Sequence, residues 1–241
     1  MTVTAIIQAR MGSSRLPGKV LKEINGKPLL LHQINRLKKC RKIDNLVVAT
    51  TLENQDNQLV EFCNKYNINV FRGSEENVLE RYYGAWNQFG GETIVRLTSD
   101  CPIIDPDIVD ETINYFLIND FDYVSNTLER TFPRGLDTEV FTAKALKNSY
   151  KFAILDRDKE HVTPYIYTNS DKFRLGCYKG KENYSKYRWT VDTKEDFELI
   201  NLLLNVYKGK ETDLKLKDAI KLMEANPQWF EINHEIEQKK I

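Results

Sequence analysis

Residues 6–19 read Ile6-Ile-Gln-Ala-Arg-Met-Gly-Ser-Ser-Arg-Leu-Pro-Gly-Lys19, an apolar run that breaks into a turn of small residues and cations. The apolar residues 3–9 predict a first buried strand beside the N-terminus. Gly12, Ser13, Ser14, Pro17 and Gly18 supply the turn, with Arg10, Arg15 and Lys19 interleaved. Small residues let backbone N–H groups approach an anion, and three cations at these intervals can neutralise a chain of phosphates. The position, directly after the first strand, is where open α/β sheets bind ligands. The stretch reads as a cradle for a nucleoside triphosphate, although neither GxxxxGK[ST] nor GxGxxG is present. The plainer alternative is a surface loop that happens to be basic.

Outward from this loop, apolar strands alternate with helical patterns, the mark of an α/β sheet with crossover connections. Strands are expected at 45–50, near Val70 and Phe71, and at 93–97, with helices over 28–39, 56–66, 75–89 and 107–118. Residues 121–125 read as extended, and 126–186 as less regular, with a helix over 156–168 and a strand at 173–178. Residues 187–191 are expected to return to the sheet, and helices over 195–207 and 214–225 to close the chain. The whole of 1–241 is expected as one domain, with a middle lobe at about 126–186 serving the acceptor, dimerisation or both.

Composition narrows the function. The 241 residues carry 35 Lys plus Arg and 35 Asp plus Glu, a formal charge of zero. A general nucleic-acid binder needs a basic surplus, so none is expected. The four cysteines (Cys40, Cys63, Cys101, Cys177) lie far apart and form no CxxC pair, which suits reduced thiols and no zinc site. No signal peptide or membrane span is read, and a cytoplasmic enzyme is expected.

The string A-R-x-G-S-x-R-x-P-x-K, here Ala9 to Lys19, resembles the signature of the CMP-sugar synthetases, which activate keto-sugar acids with CTP. Within that superfamily the chain most resembles the SpsF family of spore coat polysaccharide biosynthesis. The resemblance implies a three-layer Rossmann-like α/β fold of the nucleotide-diphospho-sugar transferase (GT-A-like) type. It also implies nucleotide contacts from Gln8, Ala9, Arg10, Gly12, Ser13, Ser14, Arg15, Lys19, Thr50 and Thr98, and a homodimer.

Two carboxylates are candidates for metal. Asp100 closes Ile94-Val-Arg-Leu-Thr-Ser-Asp-Cys-Pro-Ile-Ile104, which resembles the family's second motif, whose aspartate holds magnesium. Asp192 opens an Asp-Thr-Lys-Glu-Asp string resembling V-D-T-x-x-D, where the first aspartate is the other protein ligand. Two carboxylates with phosphate oxygens and waters suit Mg²⁺. Either aspartate could instead cap a helix. Asp196 is better placed for the helix N-terminus than for metal. The strings Asp105-Pro-Asp107, Asp120-Phe-Asp122 and Asp156-Arg-Asp158 follow no apolar strand end as Asp100 does.

Two strings resemble the SpsF branch: Tyr123-Val-Ser-Asn126 with Phe132-Pro-Arg-Gly-Leu-Asp-Thr-Glu-Val-Phe141, and Asp156-Arg-Asp-Lys-Glu-His-Val-Thr-Pro-Tyr-Ile166. The second departs from the branch's R-E-H-V-T-P-Y through Asp158 and Lys159. From these, Asn126, Arg134, Glu139 and His161 are candidates for the acceptor, joined by Arg81: arginine for a carboxylate or phosphate, Glu and His for hydroxyls. Alternatively, His161 bonds within the core or across an interface, Arg134 and Glu139 pair with each other, and Arg81 lies on a solvated face. The expected reaction transfers CMP from CTP to a sugar-acid hydroxyl or sugar phosphate. Arg15 and Lys19 hold the leaving phosphates, Arg10 positions the triphosphate, and Asp100 and Asp192 hold Mg²⁺. The rivals are a glycosyltransferase of the same fold and a non-catalytic nucleotide-binding protein.

Overall fold

The computed structural model describes residues 1–238. β1 (Val3–Gln8) is buried up to Gln8, as a central parallel strand is. Loop 9–19 follows, then a small hairpin of β2 (Glu23–Ile24) and β3 (Lys27–Pro28). α1 (Leu29–Leu37) crosses back to β4 (Asn45–Thr51), which pairs parallel with β1. α2 (Asn57–Lys65) and β5 (Asn69–Gly73) repeat the step outward. α3 (Val78–Phe89), capped by the Asn77 side chain on Glu80 N at 3.0 Å, returns the chain to β6 (Thr93–Thr98) on the other flank of β1. Strand order therefore reverses between β1 and β6, and the crevice beyond their C-terminal ends is where such sheets take ligands.

α4 (Pro106–Leu117) starts at Asp105, whose carboxylate accepts from Asp107 N at 3.0 Å. Then come β7 (Tyr123–Ser125), β8 (Glu139–Thr142), α5 (Ala143–Phe152), α6 (Asp156–His161), α7 (Pro164–Tyr167), β9 (Leu175–Cys177), α8 (Lys194–Val206) and α9 (Leu216–Ala225). The main sheet runs β5-β4-β1-β6-β8-β7-β9, with β8 antiparallel to both its neighbours. Strand periodicity divides the core: Ala5 and Ile7 pack with Leu30, Ile34, Leu59 and Ile113 on one face, and Ile6 with Leu79, Tyr82 and Leu146 on the other. A third cluster joins Trp189 and Val191 to α8 and α9. This is the three-layer α/β fold expected.

Three expectations are corrected. Residues 187–191 do not rejoin the sheet. They form an isolated bridge to Arg134, with Trp189 N donating to Arg134 O at 2.7 Å, and Val191 N donates to Asp100 O at 2.8 Å. Gly135, at φ 102°, permits the crossing, because a Cβ there would lie 2.6 Å from the Trp189 carbonyl carbon. The helix over 156–168 is broken at Val162, between α6 and α7. Finally, the segment 126–186 is no bare insertion. It supplies β8 and β9 to the main sheet, together with the unforeseen helix α5.

Candidate active site

Loop 9–19 is held in place by its own backbone hydrogen bonds and by one to β4. Ser13 N and Gly18 N both donate to Met11 O, at 2.9 and 3.1 Å, and Ala9 N donates to Ala49 O at 3.1 Å. Asp56, wholly buried, accepts from Met11 N at 2.7 Å and from Thr51 N at 3.2 Å, and also bonds the Thr51 hydroxyl. It therefore ties the loop to the end of β4. The sequence reading took Asp56 only as a helix start.

Every cation of the loop is held by a carboxylate. Arg10 Nη1 lies 2.9 Å from Glu75 Oε1, and Arg15 Nη2 lies 2.9 Å from Asp192 Oδ2. Lys19 Nζ sits between the two candidate metal ligands, 2.7 Å from Asp192 Oδ1 and 3.3 Å from Asp100 Oδ2, and donates to Val191 O at 2.8 Å. Burial disfavours the Lys19 ammonium, yet the two carboxylates outweigh it and raise its pKa above the usual lysine value. Burial likewise penalises the Asp100 carboxylate. Lys19 and the Thr98 hydroxyl, which donates to it at 2.6 Å, overcome that penalty and hold its pKa at about 2.

A further buried cation stands behind Asp192. Arg188 Nη2 lies 2.8 Å from Asp192 Oδ2, and Nε lies 2.9 Å from Asp196 Oδ1. Asp196 also accepts from Asp192 N at 2.9 Å and forms a reciprocal cap with Thr193 at the start of α8. The second motif aspartate is thus a structural anchor for the first. Arg188 was missed by sequence reading, although it stands only four residues before Asp192. The Val191–Asp100 backbone bond then brings Asp192 beside Asp100 across 92 positions of sequence.

These groups open onto a cleft of about 950 Å³. Gln8, Ala9, Arg10, Gly12, Ser13, Ser14, Arg15 and Lys19 line it, as do Thr98, Asp100 and Asp192. The opposite walls come from residues 74–78 with Arg81, and from Asp156, Lys159, Glu160 and His161 of α6. Arg81 is only 2% exposed, and its Nη1 donates to Ser74 O at 2.8 Å. The solvated-face alternative for it is thereby removed.

Four expected site residues do not line the cleft. Thr50 is buried within β4. Asn126 clasps the 127–137 loop from inside, donating to Leu136 O at 2.7 Å and accepting from Thr138 N at 2.9 Å. Arg134 makes the backbone bridge to Arg188. Glu139 is buried and ion-paired to Arg96, its partner across the β6–β8 ladder, rather than to Arg134. Arg157, half-exposed, pairs with Asp158.

Among the described residues, no group of three or more His, Cys, Asp or Glu is placed to hold a metal ion. The Asp100–Asp192 pair fits a divalent cation that takes its remaining ligands from phosphate and water, because the two carboxylates already share one cation, the Lys19 ammonium.

A family model described as cytidylyltransferase matches residues 4–236, which include the loop, both carboxylates and every strand of the main sheet but the first residue of β1. The chain belongs to the cytidylyltransferase family. It is 36% identical to the spore coat polysaccharide biosynthesis protein SpsF of Bacillus subtilis (strain 168), over 92% of this chain and 94% of that protein. A solved cytidylyltransferase from Leptospira borgpetersenii serovar Hardjo-bovis superposes with a TM-score of 0.92 at 36% identity, covering 99% of this chain and 100% of that one. A CMP:2-keto-3-deoxy-manno-octonic acid synthetase solved in complex with CTP shares the fold, with a TM-score of 0.67 at 17% identity over 85% of this chain and 99% of that one. Among the described residues of this cytidylyltransferase, no helix is long and apolar enough to cross a membrane.

Proposed function

We propose that this cytidylyltransferase transfers CMP from CTP to a hydroxyl of a sugar acid of the ulosonic or nonulosonic kind, or to a related sugar phosphate, for surface polysaccharide synthesis. The observation that carries the reading is the Lys19 ammonium lodged between Asp100 and Asp192, in one loop with Arg10 and Arg15, at the point where strand order reverses. The names of SpsF and of the CMP:2-keto-3-deoxy-manno-octonic acid synthetase solved with CTP support the sugar-acid and polysaccharide terms.

In this reaction the acceptor oxygen bonds to the α-phosphorus, and the bond from that phosphorus to the β-bridging oxygen breaks. Pyrophosphate leaves with the electron pair, and the hydroxyl proton passes to solvent. Such transfer depends on alignment and charge stabilisation rather than on covalent chemistry by the protein. Arg15 and Lys19 exchange their carboxylate partners for the β- and γ-phosphates and hold them as they leave. Arg10 exchanges Glu75 for the triphosphate and fixes its course along the loop. Asp100 and Asp192, relieved of Lys19, would hold Mg²⁺, which when bound neutralises charge at the α-phosphate and acidifies the attacking hydroxyl. His161, Lys159 and Arg81 face the space left for an anionic, hydroxyl-rich acceptor.

A thermal-shift panel of CTP, UTP, ATP, GTP and UDP-sugars, each with and without Mg²⁺, tests the reading. A nucleotide at about a hundred times its Kd adds roughly 2.7 kcal/mol, which is several degrees at this size. Expected is a Mg²⁺-dependent shift with CTP. A shift with UDP-sugars alone would favour a glycosyltransferase of the same fold.

A further inference from the structure

The motif containing Glu139 suggested a ligand to the acceptor, but its surroundings assign it another task. We infer that Glu139, acting through Thr163, is the positioning residue that aims His161 into the cleft. The inference rests on the acceptor reading above only for what His161 meets there.

The observation is a strained turn. Val162 has φ 73° and ψ −54°, and Thr163 N donates to His161 O at 2.8 Å, so the three residues form a γ-turn of the rarer, positive-φ hand. Val162 is β-branched and wholly buried, a residue type that avoids this region. Such a conformation persists where the surroundings over-determine it, and it concentrates at sites that must hold a geometry. The residue on the N-terminal side of the turn is His161, which lines the cleft.

The surroundings do over-determine it. On one side, the Val162 side chain packs in the apolar cluster with Ile166, Tyr123 and Phe141. On the other, the Thr163 hydroxyl donates to Glu139 Oε1 at 2.6 Å, and the Tyr123 hydroxyl donates to the same oxygen at 2.6 Å. The second carboxylate oxygen is paired with the Arg96 guanidinium, on a side chain 14% exposed. Glu139 sits on β8 and Arg96 opposite it on β6, so the carboxylate is fixed by the sheet itself. Pro164 follows directly and opens α7, which keeps α6 from running on. A rigid element thus reaches, through one hydroxyl, the turn that ends α6 and sets the direction of its last side chain.

Thr163→Val removes the donor at nearly constant volume, and Thr163→Ser keeps it. In the full chain, the ring signals of the three histidines are followed by ¹H–¹³C NMR, with His161 assigned through His161→Gln. KM values for CTP and for 3-deoxy-manno-octulosonate are measured by pyrophosphate release. Thr163→Val is expected to shift or broaden the His161 signals alone, leaving those of His32 and His234 in place. It should raise KM for the sugar acid about five- to tenfold, the usual worth of one hydrogen bond, with KM for CTP unchanged. Thr163→Ser should restore both. Tyr123→Phe, which removes the other donor to the same oxygen without touching the turn, should leave His161 where it is.

If Thr163→Val does not fold, Thr163→Ala gives the same comparison. Unmoved His161 signals in the folded variant, or Thr163→Ser behaving like Thr163→Val, would overturn the assignment. If the wild type releases pyrophosphate with no sugar acid, the acceptor reading fails, and the ring signals still decide the role of Glu139 and Thr163.

Discussion

Replacing Lys19 by methionine separates two things its ammonium does. In the structure it is the counter-ion of two carboxylates, 2.7 Å from Asp192 and 3.3 Å from Asp100, on a side chain only 12% exposed. Removing one partner of a buried ion pair costs about 3–5 kcal/mol. Arg15 at 2.9 Å and Arg188 at 2.8 Å still hold Asp192 Oδ2, so the lower end applies. A loss of about 3 kcal/mol in a chain of this size lowers Tm by about 6–12 °C. The same change removes the competitor for the carboxylates. Mg²⁺ or Mn²⁺ should therefore bind the variant more tightly than the wild type without nucleotide, and should recover much of its lost Tm. Turnover moves the other way, because one of the phosphate-holding cations is gone: kcat should fall about 10²–10³-fold. Calorimetry with and without divalent cation, beside steady-state CTP turnover, reads both effects. Wild-type turnover, or a lowered Tm that Mg²⁺ restores no better than in the wild type, would refute the reasoning.

Acid stability should report the same contact. Asp100 is held at about pKa 2, below its ordinary 3.8, so its contribution is present above pH 3.8 and is lost as pH falls towards 2. Lys19→Met should begin acid unfolding at higher pH than the wild type, and coincident acid limbs by circular dichroism would contradict this. Arg188→Met leaves the fully buried Asp196 without its cation and should cost about 3–5 kcal/mol in denaturant unfolding. A change within the error of the melt would show that Asp196 is satisfied without Arg188. Asp56→Ala frees the Met11 and Thr51 amides, costing about 1–3 kcal/mol. It should raise KM for CTP while sparing KM for the acceptor; an equal rise in both would detach Asp56 from the nucleotide loop.

What the sequence made legible was the chemistry packed into contiguous residues. Loop 9–19 could be read because phosphate chemistry needs small residues and cations at short spacing, and the structure places all seven of its expected residues on the cleft. Asp100 was legible from its place after an apolar strand. Asp192 and Asp196 were legible from their string, although only the fold shows that Arg188 fastens them together. The misreadings share a different cause. Glu139 and Asn126 look like ligands because polar residues in a motif usually face solvent or substrate. Their partners, Arg96 and the 136–138 backbone, come from the opposing strand and a returning loop that no local pattern reveals. Residues 187–191 alternate like a strand, but their apolar side chains pack on α8 and α9 while their backbone bonds Asp100 and Arg134. The break after His161 did have a signal in Pro164, which would fall inside a helix over 156–168, where its ring and missing N–H break the helical bonding; the residue that leaves the helical region is Val162, while Thr163 stays within it.

The most direct measurement of nucleotidyl transfer is ³¹P NMR of the protein with CTP, Mg²⁺ and a sugar acid such as 3-deoxy-manno-octulosonate. Expected is a phosphodiester signal growing in step with pyrophosphate as the three CTP signals decline, with both products absent in Asp100→Asn. CTP left intact with every sugar acid tried, while a UDP-sugar is consumed to UDP under the same conditions, would contradict transfer of CMP at this site.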